Sequence, residues 1–81
     1  MPANDALKSL GAAIRHRREE LSLSQEELAE KAGLHRNYVG GVERGERNVA
    51  FLNLVKLARA LDLSLAALIE EVESSMDERH R

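Results

Sequence analysis

The side chains with chemical potential in this sequence are polar, basic and grouped. His35, Arg36 and Asn37 stand in a row, Arg44, Arg47 and Asn48 follow closely, and Gln25 precedes them. Such groups donate and accept hydrogen bonds and carry positive charge, a chemistry suited to holding a partner. The ingredients of catalysis are dispersed. His16, His35 and His80 lie in different segments, no two of them at a ligand spacing on one helix face. There is no Gly-rich phosphate loop, and no serine has a plausible base and orienting acid. Without cysteine there is neither a disulfide framework nor a thiolate metal site. The sequence therefore predicts a protein that is not an enzyme and needs no cofactor or metal.

The elements that must position these residues are written most clearly in Gln25–Arg44, QEELAEKAGLHRNYVGGVER. Leu28, Ala29 and Ala32 recur at helical intervals, Leu34 follows, and Val39 and Val42 are three apart, so two short helices share one core. Gly33 stands at the reversal between them, where positive φ is wanted, and the small Ala29 stands where two helices cross closely. Ser24 with Glu27 forms a capping box, and Leu23 with Leu28 a hydrophobic staple, which places Gln25 in the first helical turn beside outward backbone N–H groups able to take a phosphate. The second helix is expected over His35–Glu43, closed by Gly45. Its outward face carries His35, Arg36, Asn37, Gly40 and Gly41. The last two cost about 1 kcal/mol each relative to alanine. Either the helix frays there or its backbone must approach something closely.

On either side the pattern stays helical. Asn4 or Asp5 can cap a first helix with Leu7, Leu10, Ile14 and Leu21 on one stripe, and its Arg15, His16, Arg17 and Arg18 form an exposed mixed-charge face or supply a phosphate contact. A fourth helix runs from Phe51 to Leu61 with a poor cap at Ala50, for which Asn48 could substitute. Ser64 caps a fifth, where Leu63 can staple to Leu68 and the stripe continues through Ile69 and Val72. Residues 1–73 make one domain, and 74–81 read as a charged tail expected to fray.

Composition agrees with an all-α domain. The 81 residues are 43% hydrophobic and 32% charged, with one Tyr, one Phe and no Trp. No stretch resembles a signal peptide or a membrane span, so a cytoplasmic location is expected. The formal net charge of −2 does not advertise a nucleic-acid binder. Its distribution is uneven. Residues 31–47 hold Lys31, Arg36, Arg44 and Arg47 against Glu43 and Glu46, and this is the net-positive segment. An excess that small permits binding to a polyanion without requiring it.

The segments LSLSQEELAEKAGL, VERGERN and LVKLARALDLSLAALIE together resemble the Cro and phage-repressor type of helix-turn-helix regulator. HRNYV through VERGERNV is most similar to the controller proteins of restriction-modification systems. The resemblance implies a compact five-helix bundle that binds double-stranded DNA, regulates transcription as a repressor or controller and reads a two-fold symmetric operator as a homodimer, with autoregulation and RNA polymerase as further expectations. It implies that Gln25 holds a backbone phosphate and braces the third helix, that His35, Arg36 and Asn37 enter the major groove, and that Arg44, Arg47 and Asn48 contact the DNA backbone. The side-chain chemistry agrees, since Arg can bond guanine O6 and N7 together and Asn adenine N6 and N7. Arg18 and Glu43 resemble a structural ion pair. Gly41 departs from the pattern, falling where relatives place a long base-reading side chain. The dimer interface implied is Leu65, Leu68, Ile69 and Val72, although all or some of these could instead fill the core. The competing reading is an antitoxin-like or adaptor module that uses the same fold to bind protein.

Overall fold

The computed structural model describes residues 3–79, which form five helices: α1 Ala3–Glu20, α2 Gln25–Ala32, α3 Arg36–Glu43, α4 Phe51–Ala60 and α5 Leu65–Arg79. Among the described residues there is no strand, and no helix is long and apolar enough to cross a membrane. Helix α1 packs on α5 and α3, α2 on α3 and α4, and α4 on α5. Their shared core is built from Ile14, Leu28, Val39, Val42, Leu57, Leu61 and Leu68, so every helix contributes. Each such side chain stabilises the bundle by roughly 1.5–3 kcal/mol relative to exposure.

One small residue sets how closely α1 and α3 approach. A Cβ on Gly11 would run into the carbonyl oxygens of Val42 and Glu43, so the last turn of α3 lies directly on the α1 backbone. Sequence periodicity gave no signal for this contact.

The first four helices end alike. Ser22, Gly33, Gly45 and Asp62 adopt positive φ, at 57°, 69°, 75° and 56°. The next residue donates its N–H back to a carbonyl of the last turn: Leu23 to Arg18, Leu34 to Ala29, Glu46 to Gly41 and Leu63 to Ala58, at 2.9–3.0 Å. This is the Schellman arrangement, and it satisfies carbonyls that the helix leaves unpaired. Two of the four turns share a pattern, LSLS before α2 and LDLS before α5. In each, the final serine accepts the backbone N–H three residues on, Glu27 to Ser24 and Ala67 to Ser64, both at 3.0 Å. Glu27 completes the capping box by accepting the Ser24 N–H at 2.9 Å.

Four expectations are corrected. Helix α1 already includes Ala3, so Asn4 and Asp5 lie within its first turn rather than capping it. Ala50 does stand at the start of α4 with no side-chain bond, and Asn48 does not substitute. Helix α5 continues through the residues expected to fray, because Met76 stands four residues beyond Val72, as Val72 does beyond Leu68, and packs against the core. His80 and Arg81 of that tail lie outside the described residues. Finally, Leu68 and Val72 are 0% and 7% exposed, hence core residues, while Leu65 and Ile69 are half-buried.

Candidate nucleic-acid interface

The start of α3 is shaped by the turn before it. Once Gly33 reverses the chain, His35 takes an extended conformation (φ −81°, ψ 141°) and becomes the N-cap, one residue earlier than the helix itself. Its Nδ1 accepts the Asn37 N–H at 3.2 Å. An imidazole accepting at Nδ1 carries its proton on Nε2, so the outer nitrogen is a donor. Arg36 and Asn37 occupy the first helical positions and are exposed. Three consecutive polar side chains thus project from a helix N-terminus, whose dipole favours negative charge.

The other end of α3 is tied to α1 and α2 through one carboxylate. Arg18 grips Glu43 with two parallel bonds, Nε to Oε2 at 2.7 Å and Nη2 to Oε1 at 2.9 Å, and its Nη1 donates to the Leu23 carbonyl at 2.8 Å. The two side chains are 11% and 3% exposed. Donating these hydrogen bonds to the Glu43 carboxylate holds the Arg18 guanidinium above its ordinary pKa, against the opposing effect of burial. Gln25 joins the pair, its Nε2 donating to Glu43 Oε1 at 3.0 Å. The first residue of α2 is therefore braced by the last residue of α3, with one amide hydrogen left over.

Of the two expectations for the glycines in the middle of α3, fraying and close approach, the structure shows close approach. Gly40 and Gly41 are buried, because two arginines from beyond the helix fold back over them. A Cβ at Gly41 would lie 2.9 Å from Arg47 Cγ and 3.1 Å from its Nε, and one at Gly40 would lie 3.1 Å from Arg44 Nη1 and 3.5 Å from Gln25 Oε1. The Arg47 guanidinium stands 5.9 Å from the centre of the Tyr38 ring, within cation–π range. Tyr38 is held in turn by Asn53, whose Nδ2 donates to its hydroxyl at 3.2 Å. Arg44 Nε meets Glu46 Oε2 at 3.0 Å on the exposed surface.

The structure thus gathers Gln25 and Arg44 around Gly40 and sets Arg47 over Gly41, while Asn48 is exposed in the loop before α4. Tyr38, Asn53 and Glu46 were not singled out by sequence. Tyr38 could have been, as the only tyrosine and one turn beyond His35. The basic cluster of α1 is divided: Arg15 and His16 stay on the exposed surface, while Arg17 and Arg18 reach into the bundle. Arg15 pairs with Glu19 at 3.5 Å, and Arg17 donates to the Leu61 carbonyl at 2.9 Å, fastening α1 to the end of α4.

Comparison with known proteins places these features in a family. A helix-turn-helix family matches residues 14–68, which include α2 and α3 whole. Control protein C.SmaI of Serratia marcescens is 48% identical over 65 residues, covering 80% of this chain and 77% of its own. The restriction-modification controller protein C.AhdI from Aeromonas hydrophila superposes with a TM-score of 0.75 at 52% identity, covering 76% of this chain and 94% of that one. C.Esp1396I, solved as a tetramer in complex with its natural 35 base-pair operator, superposes with a TM-score of 0.82 at 30% identity, covering 88% of this chain and 93% of that one.

Proposed function

This chain belongs to the helix-turn-helix family, and from that premise we propose that it is a transcriptional regulator of the restriction-modification controller kind, binding double-stranded operator DNA as a dimer. In this reading α3 enters the major groove by its N-terminal end. Arg36 and Asn37 meet base edges, with His35 beside them donating from Nε2. Arg44, Arg47 and Asn48 contact phosphates, and Gln25 offers its remaining amide hydrogen to another. The observation that carries the reading is the grouping of exposed His35, Arg36 and Asn37 at one helix end, with Arg44 and Arg47 folded back along the same helix. Two such helices on a symmetry axis read half-sites about one DNA turn apart.

The dimer surface is assigned to the outer sides of α4 and α5. With Leu68 and Val72 in the core, Leu65 and Ile69 remain from the expected set, and α4 adds Phe51 and Leu52, 70% and 63% exposed. Apolar side chains that open to water favour a covering partner. Any contact with RNA polymerase falls to groups beside the DNA face, where Glu26 and Glu30 line a hollow with His35 and Arg36. The protein acts in the cytoplasm and is controlled through its own concentration by autoregulation.

The test is the salt dependence of binding to duplex DNA. Affinity is expected to fall linearly on a double-logarithmic scale, with a slope of about −0.9 per phosphate contact. Binding that is absent at low salt, or insensitive to salt, would instead favour a protein-interaction module.

A further inference from the structure

A glycine inside a helix is less favourable than alanine, yet α3 has two in eight residues. Neither adopts positive φ, so backbone conformation does not require them. What they admit is side chain: the stem of Arg47 lies against Gly41 and the guanidinium of Arg44 against Gly40. Arg47 is held from the other side by the Tyr38 ring, and Tyr38 by Asn53. A long flexible cation is thereby confined to a groove on the helix surface.

We infer that Gly41, and to a smaller degree Gly40, are positioning residues for the DNA contact, forming a groove on α3 that seats Arg47 and Arg44. This rests on the DNA-binding reading and deepens it. Long side chains at these two positions would occupy the middle of the recognition helix themselves. Here arginines delivered from beyond the helix cover that ground. Arginine loses considerable rotamer freedom when it is fixed in a complex, and seating it beforehand removes part of that cost from binding. The contacts rank the two glycines. At Gly41 a Cβ would fall 2.9 Å from Arg47, too close to be accommodated without movement, while the obstacle is a flexible side chain. Alanine there displaces Arg47 and leaves the helix intact. At Gly40 the nearest atom is 3.1 Å away, at the mobile tip of Arg44, so a smaller shift suffices.

A double-mutant cycle on the full chain tests this, with Gly41→Ala, Arg47→Ala and the double variant titrated against a mixed-sequence duplex of about 30 base pairs, long enough for two half-sites. Gly41→Ala is expected to weaken binding of the dimer about fivefold and to flatten its salt slope by about two, as loss of one phosphate contact from each protomer does. In the Arg47→Ala background the same change should leave affinity unaltered. Thermal melts should show Gly41→Ala folded, with the larger gain in melting temperature when Arg47 is absent. Gly40→Ala should weaken binding less than Gly41→Ala. Equal losses from Gly41→Ala with and without Arg47 would overturn the inference, because the DNA itself would then need the glycine. Unchanged affinity in Gly41→Ala would overturn it as well. Absence of salt-dependent binding by the unaltered protein would instead defeat the functional reading on which both rest.

Discussion

Glu43 and Arg44 are neighbours in sequence and opposites in structure. The Glu43 side chain is 3% exposed, gripped by Arg18 and Gln25, whereas the Arg44 side chain is 60% exposed and meets Glu46 at the surface. Helix α5 repeats the contrast in apolar form, with Leu68 fully buried and Ile69 half-buried beside it. One peptide unit separates scaffold from surface in both helices. Chemical type therefore says little about role in this protein, and the direction of the side chain says nearly everything. An ion pair sealed from water supports the fold, while a similar pair outside it is screened and worth about 0–1 kcal/mol.

The largest effect expected from this contrast is on α5. Leu68→Glu places a carboxylate among Ile14, Leu57 and Leu61 of the core cluster with no partner in prospect, and burial of an unpaired charge exceeds the few kcal/mol by which a small domain is stable. The variant should lose its helical circular dichroism at ambient temperature. Ile69→Glu should keep that signal and its cooperative melt, while sedimentation shows a shift from dimer to monomer. A folded Leu68→Glu protein, or an unfolded Ile69→Glu protein, would break the inside-outside assignment of α5.

Much of this architecture was legible in sequence because its causes are local. The capping box at Ser24 and Glu27, the reversal at Gly33 and the stripes of α2 and α5 are set by residues within one or two turns of each other. The Arg18–Glu43 pair came from family resemblance and not from spacing, since 25 positions separate the two residues. What escaped was contact between segments. Nothing in the run Gly40–Gly41 announces that Arg44 and Arg47 will lie on it, and Gly11 gives no sign of Val42 and Glu43. The division of α5 was hidden for a related reason. Periodicity marks Leu65, Leu68, Ile69 and Val72 as one apolar face without saying which part of that face the bundle covers.

A smaller effect separates Glu43 from Glu46. Glu43→Ala removes one partner of a buried pair and leaves Arg18 uncompensated, which should cost about 3–5 kcal/mol of stability. Chemical denaturation would measure it as a lower midpoint. Glu46→Gln leaves Arg44 in water, so stability should change by less than about 0.5 kcal/mol. Its effect belongs to binding: with the neighbouring carboxylate neutralised, Arg44 attracts phosphate more strongly, and DNA affinity should rise about threefold at low salt. Comparable losses of stability from both substitutions would erase the distinction between the two glutamates.

The smallest effect lies at the start of α2 and is read through pH. The Glu27 carboxylate accepts the Ser24 backbone N–H and meets the Ser24 side chain, and these bonds hold its pKa below the ordinary 4.5. A carboxyl whose folded pKa is depressed stabilises the fold above its unfolded pKa and loses that contribution as pH falls through the folded value. Glu27→Gln should therefore melt at a slightly lower temperature than the unaltered protein at pH 7. The difference should persist down to about pH 4.5 and close below it, where both side chains are uncharged. The protection of the Ser24 amide against hydrogen exchange, taken relative to its intrinsic rate at each pH, should fall below about pH 4.5 in the unaltered protein only. Because the capping box fixes the residue next to Gln25, loosening it should also relax the Gln25 bond to Glu43, so a small surface interaction reaches the sealed pair through one helical turn. A difference between the two proteins that stayed constant from pH 7 to pH 3 would show that Glu27 acts through its shape and not through its charge.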